Sequence, residues 1–499
     1  MLEDAVAANP DGDALVCGDE RVTYRELLAR TARAAAGLYS CGVRAGDRVA
    51  LLLGNRIEFV TTVFAAARLG AVSVPLSTRE QTPGLSYMLA HCAAVVLVHE
   101  ADLAPVLPPA TDVPALRTRV SVGGSCPGSR VFAALLEADE AVPVVRVQEE
   151  DTAAILYTSG TTGRPKGAML THLGIVHSSM HFQLAMGLGR EDSSIAAVPL
   201  SHVTGLVALI TTMVRSAAKL VIMPTFKAAE FLRLAAQERM THTLMVPAMY
   251  ALCLLQPDFD KHELAWWRIG AFGGAPMPLA TITSLAQKLP GLTLMNCYGS
   301  TETTSPATLM PPGRTSAHLD TVGAPLGCAE IRVMDKARRE VPPGTAGELW
   351  IKGPMVVRGY WDNPEATAAA FTGGFWHSGD VGTVDSEGYV RVVDRMNDLI
   401  NRGGYKIYTI EVENALYAHP AVLDCAVVAK PCSVLGERVH AFVALRDGGT
   451  TTQELTEFVR PRLSDYKLPE SYTVSTEPLP RNANGKLMKR AMREQLLAS

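Results

Sequence analysis

Apolar positions in the first half of the chain switch between short continuous runs and helical spacing. Thr23, Tyr24, Arg25 and Glu26 form a capping box that predicts a helix rich in alanine and leucine, ending at Gly42. A buried strand is predicted over 49–53, a helix over 57–69 and a strand over 72–75, with further strands at 95–98, 153–156, 219–223 and 243–246. Such alternation predicts an α/β protein. Proline and glycine gather between Pro105 and Gly128, which predicts a surface excursion.

The texture then changes. From 322 to 393 the pattern is one of short strands and turns, marked by Pro342-Pro343-Gly344, Gly373-Gly374 and Ser386-Glu387-Gly388. Beyond Asp394 and Arg395 an α+β unit is predicted, with a helix at 410–418, strands at 424–429 and 440–445, and a helix at 452–463. The domain boundaries drawn from this are 1–394, a hinge at 395–398, and 399–499.

At 499 residues the chain is too long for one ordinary core, so several subdomains are expected. A net charge of −4 gives no electrostatic case for nucleic acid. Nine cysteines lie between Cys17 and Cys432 with no Cys-x-x-Cys pair, so their spacing indicates neither a zinc site nor a disulfide framework. The acidic start, leading to Pro10, is unlike a signal peptide, and the expected location is the cytoplasm. The window 195–214 carries no formal charge but contains Pro199, Ser201, His202, Thr204 and Gly205, so a buried segment is expected rather than a membrane span.

The chemistry is concentrated in Tyr157-Thr158-Ser159-Gly160-Thr161-Thr162-Gly163-Arg164-Pro165-Lys166-Gly167. Four aliphatic hydroxyls, three glycines and a lysine follow an apolar run. Glycines let backbone N–H groups approach an anion, hydroxyls donate further hydrogen bonds, and the lysine adds a point charge. A polyphosphate is the natural ligand. The spacing is not that of a Walker A loop, because Pro165 stands before Lys166 where that loop requires glycine.

Further motifs follow in order. Residues 271–276 place Gly273 and Gly274 where a flat ring could meet bare backbone, followed by Ala275 and Pro276. Asn296, Cys297, Tyr298, Gly299, Ser300, Thr301 and Glu302 supply an aromatic face, hydroxyls and a carboxylate. Asp380 ends a Trp-His-Ser-Gly-Asp run, Arg395 sits at the boundary, and Lys486 ends the run from Pro480.

This ordered set resembles the adenylate-forming superfamily of acyl-CoA synthetases, adenylation domains and firefly-type luciferases, and the resemblance extends from about Ala14 to Arg490. It implies a large multi-subdomain N-terminal α/β domain, with stacked β-sheets flanked by helices and a small β-barrel-like subdomain, followed by a small mobile α+β C-terminal domain. It implies an acid–thiol ligase: a carboxylate attacks the α-phosphorus of ATP, pyrophosphate leaves, and the acyl-adenylate reacts with the thiol of coenzyme A. An acyl carrier protein is the alternative acceptor.

By the same resemblance, Thr158, Ser159, Gly160, Thr161, Thr162, Gly163 and Lys166 hold the β- and γ-phosphates. Glu302 ligates Mg²⁺ and Thr301 donates to the α-phosphate. Tyr298 stacks on adenine against Gly274, Ala275 and Pro276, with Asn296 near the exocyclic amine and Cys297 and Gly299 alongside. Asp380 accepts from the ribose hydroxyls, helped by Arg395. Lys486 bridges carboxylate and α-phosphate, and His202 lies beside the acyl site. Gly403 and Gly404 line the pantetheine path with Lys406 nearby, while Asn397 occupies a hinge position usually held by aspartate or lysine.

The acyl pocket is expected around Phe182, His202–Gly205, Gly273, Gly274, Cys297 and residues 303–308. The window 196–212 lacks any aspartate or glutamate to pair with a substrate ammonium, which argues against an α-amino acid. Ten of the eighteen methionines lie between Met180 and Met310, and mobile thioethers suit an apolar cavity. A hydrophobic carboxylic acid is the expected small-molecule partner.

Overall fold

A computed structural model of the chain describes residues 1–138, 141–158, 164–396, 398–446, 449–481 and 487–498. The chain divides into two units, one formed by residues 1–277, 283–330 and 351–376, the other by 278–282, 331–350 and 377–499.

The first unit is built on two sheets. One has seven strands in the order Arg130–Val131, Thr118–Val122, Val96–Glu100, Arg48–Leu52, Val72–Pro75, Thr152–Thr158, Lys166–Thr171. All neighbours are parallel except the last pair, an antiparallel hairpin at the sheet edge. The predicted strands appear within a residue or two of their expected ends. The predicted capping box is present, with the Thr23 hydroxyl accepting from the Glu26 N–H and the Glu26 carboxylate accepting in return.

One expectation fails here. The Pro/Gly-rich stretch after Pro105 is not wholly a surface excursion, because it contains the strand Thr118–Val122, with Val120 and Val122 buried. Parallel pairing with Val96–Glu100 supplies its hydrogen bonds, an attraction from far along the chain that local turn residues conceal.

The second sheet has nine strands. Its parallel centre runs Thr293–Tyr298, Ile269–Gly273, His242–Met245, Ser193–Ala196, Lys219–Ile222 and Asp13–Cys17. The uncharged window folds as the buried helical segment Thr204–Thr211 running into Thr212–Arg215, and its π-type turns lie just after His202. Among the described residues no helix is long and apolar enough to cross a membrane.

In the second unit, strand Val390–Arg395 pairs antiparallel with Phe375–Val384, in a register that sets Asp380 opposite Arg395. The C-terminal part is α+β, as expected. A five-stranded sheet of Ile400–Arg402, Tyr405–Ile407, Val422–Cys432, Gly436–Leu445 and Ser471–Ser475 packs with helices Thr409–Tyr417 and Thr452–Val459. Its core gathers Ile400, Ile407, Val412, Leu416, Val427 and Val443.

Candidate active site

Strands position the phosphate loop. Thr158 pairs with Lys166 at the loop end of the edge hairpin, where the connection 159–165 joins the two strands. Ser159, Gly160, Thr161, Thr162 and Gly163 lie outside the described residues, as do Asn397 and Lys486. The hairpin is pinned beside this loop by Tyr157, whose hydroxyl meets Nδ1 of His91 at 2.8 Å and donates to the carbonyl of Met88 at 3.1 Å. Burial pushes the Tyr157 phenol up, so it remains a neutral donor.

Glu302 lies in the short turn Thr301–Thr303, just past strand Thr293–Tyr298, at the carboxyl end of a parallel sheet where ligands collect. Its side chain is buried, with 7% of the residue exposed. Three hydroxyls converge on it. Tyr360 donates to Oε1 at 3.0 Å, Thr158 to the same oxygen at 3.4 Å, and Ser300 to Oε2 at 2.5 Å. The ammonium of Lys166 stands 4.8 Å from the centre of the Tyr360 ring. Burial, and then the negative charge of Glu302, push the Tyr360 phenol up. Thus Thr158 and Tyr360, 144 and 58 residues away in sequence, meet at the Glu302 carboxylate, with Lys166 against the Tyr360 ring.

The backbone after Glu302 is strained. Thr304 and Ser305 hold φ values of 49° and 34°, in the left-handed region that side chains avoid. The Thr303 hydroxyl ties the turn together, accepting from the N–H of Ser300 at 2.8 Å and donating to its carbonyl at 3.1 Å.

The bare-backbone motif has a geometric cause. A Cβ on Gly273 would come within 2.4 Å of the Cys297 carbonyl oxygen on the adjacent strand, and Gly274 adopts φ +79°. Gly274, Ala275 and Pro276 are exposed, Tyr298 is half-buried, and Cys297 is buried, where desolvation pushes its thiol up. Asn296 donates through Nδ2 to the Thr321 carbonyl at 3.3 Å. Gly299 and the half-buried Thr301 continue the loop toward Glu302.

His202 is half-buried, and its carbonyl accepts from the N–H of Leu206 at 2.8 Å at the start of the buried helix. Gly205 packs so closely that a Cβ would lie 2.3 Å from the Pro199 oxygen. Asn55 fixes this loop: Nδ2 donates to the carbonyls of Val198 and Met223 at 3.0 Å, and Oδ1 accepts from Leu200 N–H at 2.9 Å. Phe182, also expected near the acyl group, is fully buried.

Within the second unit, Asp380 is 5% exposed and pairs with Arg395, whose Nε lies 2.8 Å from Oδ1. Gly403 and Gly404, with φ +57° and +92°, form the two-residue turn joining Ile400–Arg402 to Tyr405–Ile407. Lys406 is exposed on the second strand of that hairpin.

Sequence reasoning missed Tyr360, Ser300 and Asn55. Ser300 stood inside the 296–302 motif, and Tyr360 inside the motif Gly359-Tyr360-Trp361-Asp362-Asn363-Pro364-Glu365-Ala366-Thr367, neither with a role of its own. Asn55 gave no signal, since its partners lie more than 140 residues away.

A family model of AMP-binding enzymes matches residues 2–361, and one of the AMP-binding enzyme C-terminal domain matches residues 411–486. Feruloyl-CoA synthase of an Amycolatopsis species is 35% identical over 488 residues, covering 98% of this chain and 96% of that protein. The solved structure of the anthranilate CoA ligase AuaEII with anthranoyl-AMP matches with a TM-score of 0.93 at 26% identity, covering 100% of this chain and 96% of that one. The Bacillus subtilis o-succinylbenzoate CoA synthetase MenE, in complex with ATP and magnesium ion, matches with a TM-score of 0.86 at 30% identity, covering 98% of each chain.

Proposed function

Because the chain belongs to the AMP-binding enzyme family and is an acid–thiol ligase of the AMP-forming kind, we propose that it joins a hydrophobic carboxylic acid to coenzyme A using ATP and Mg²⁺. The observation that carries this reading is the buried Glu302 carboxylate, ringed by three hydroxyls beside the hairpin that ends in Lys166.

In the first half-reaction a substrate carboxylate oxygen bonds to the α-phosphorus. The bond from that phosphorus to the β-bridging oxygen breaks, and pyrophosphate leaves with the electron pair. In the second, the thiol of coenzyme A loses its proton, sulfur bonds to the acyl carbon, and AMP departs. Both steps spread negative charge over oxygens, so fixed donors and cations lower the barriers.

Among the described residues the side chains bonded to Glu302 offer hydroxyl oxygens, and a carboxylate among oxygens suits a hard cation. Glu302 would hold Mg²⁺, which supplies charge neutralisation between the anionic acid and the triphosphate. Thr301 donates to the α-phosphate. Thr158, Lys166 and residues 159–163 bind the β- and γ-phosphates. Tyr298 packs adenine against Gly274, Ala275 and Pro276. With Nδ2 of Asn296 committed to Thr321, its Oδ1 suits the exocyclic amine as an acceptor. Asp380, oriented by Arg395, accepts from the ribose hydroxyls, and Lys486 neutralises carboxylate and α-phosphate together. His202 borders the acyl group. The portion 399–499 turns about 395–398 between half-reactions, bringing Gly403, Gly404 and Lys406 to the thiol arm.

The acids named in the three relatives above are all aromatic, which places aromatic acids first in any substrate panel. Incubation with ATP, Mg²⁺, coenzyme A and a panel of aromatic, alicyclic and aliphatic acids is expected to give acid-dependent AMP and pyrophosphate. Acid-dependent ADP, or no turnover across the panel, contradicts the reading. A parallel arm with a holo acyl carrier protein replacing coenzyme A tests the alternative acceptor.

A further inference from the structure

Helix His172–Met186 carries His177 and His181 four residues apart, which sets their imidazoles on one face. The rings stand 6.0 Å apart with planes tilted by 39°. Cys328, just before strand Glu330–Met334, brings its sulfur to 2.9 Å from Nε2 of His181. One ligand atom from each of the three lies within 4.8 Å of the others. All three residues are half-buried, so a hydrated ion can reach them.

A hydrogen bond between His181 and Cys328 accounts for only one of these contacts. It leaves Nδ1 of His177 buried with no hydrogen-bond partner, and buried polar atoms rarely go unsatisfied. The ligase reaction proposed above gives none of the three a role. A shared ligand would engage all three side chains at once, which the single hydrogen bond does not.

We propose that His177, His181 and Cys328 form a binding site for a borderline-soft divalent cation of the Zn²⁺ class, separate from the Mg²⁺ role of Glu302. Bonds of about 2.0–2.3 Å from one central ion reach nitrogen and sulfur atoms spaced on this scale after small side-chain rotations. Two nitrogens and a sulfur, with no carboxylate, select Zn²⁺ over Mg²⁺. Three protein ligands leave a fourth position for water. On binding, the Cys328 S–H bond breaks, the proton passes to solvent and the sulfur electron pair is donated to the metal. The ion then ties the helix to the 326–330 turn. Cysteine spacing in the sequence hid this site, because two of its ligands are histidines about 150 residues before the sulfur.

The test uses the full-length, tag-free protein, stripped with chelator and kept in excess Mg²⁺ without acid or ATP, so it is independent of the ligase reading. Titration with Zn²⁺ is expected to show one equivalent bound, one proton released and a raised melting temperature. Co²⁺ in its place is expected to give a sulfur-to-cobalt charge-transfer band. Cys328→Ser and His181→Gln are each expected to weaken binding at least tenfold, with the band lost in Cys328→Ser. Cys432→Ser, altering another half-buried thiol, is expected to leave both unchanged. A Co²⁺ adduct without the sulfur band, or Zn²⁺ binding equal in wild type and His181→Gln, overturns the proposal. The His181→Gln arm decides the matter if Cys328→Ser does not fold.

Discussion

Glu302 accepts from Thr158, Ser300 and Tyr360. These hydroxyls hold its carboxylate in one orientation before any cation arrives. Replacing Glu302 with Gln removes the charge but keeps the shape. Acid-dependent pyrophosphate release is expected to fall about a hundredfold, the scale of losing a positioned electrostatic group. A Mg²⁺ titration of the rate checks this, and an unchanged rate and Mg²⁺ dependence would remove Glu302 from the role. Tyr360→Phe deletes one donor to a buried carboxylate, a loss of about 1.5–3 kcal/mol in whichever state uses that bond. It is expected to raise the Mg²⁺ requirement severalfold with the melting temperature nearly kept, and an unaltered Mg²⁺ titration contradicts it. The importance of Glu302 was legible in the Tyr-Gly-Ser-Thr-Glu motif. The Tyr360 hydroxyl was not, because its aim depends on the bridge between Ala168 and Tyr360, a pairing no local pattern encodes.

At the scale of elements, the apolar run behind strand Arg48–Leu52 announced itself, since a parallel strand buried on both faces favours continuous β-branched and aliphatic residues. The strand Thr118–Val122 did not, because three of its five residues are polar and turn formers surround it. The helix Lys489–Ala498 shows a further limit of sequence reading. By sequence, Lys489 belongs with Lys486 and Arg490 to a local basic cluster expected to meet a phosphorylated small molecule. Lys489 is instead well buried, 2.7 Å from Glu413 and 2.9 Å from the Thr409 hydroxyl. Burial works to lower its pKa, but Glu413 and Asp398 more than offset that and hold it above the ordinary lysine value. Lys489→Met strands the Glu413 carboxyl in the interior, where burial already pushes its pKa up. The expected cost is about 3–5 kcal/mol, read as a lower denaturation midpoint. Adding Glu413→Gln is expected to recover part of it. If the single variant is as stable as wild type, the pair has no anchoring role.

Across the whole molecule, two buried histidines make stability depend on pH. Burial lowers His242 to about 4 and His440 likewise to about 4. Their folded pKa values lie below the unfolded value near 6.5, so between these limits the unfolded chain binds more protons. Stability is therefore complete above about pH 6.5 and falls as the pH drops toward 4, by roughly 3 kcal/mol for His242 alone. Denaturation midpoints at pH 7 and 4.5 are expected to differ, and less so in a His242→Gln, His440→Gln double variant. Equal slopes for the two proteins contradict the assignment.

The ligase chemistry itself rests on one bond: substrate carboxylate oxygen to the α-phosphorus of ATP. Turning over an accepted acid labelled with ¹⁸O in its carboxylate, followed by mass analysis of the products, tests that bond directly. The expected result is one labelled oxygen in AMP and none in pyrophosphate. Label in pyrophosphate or inorganic phosphate, or AMP carrying none, contradicts it.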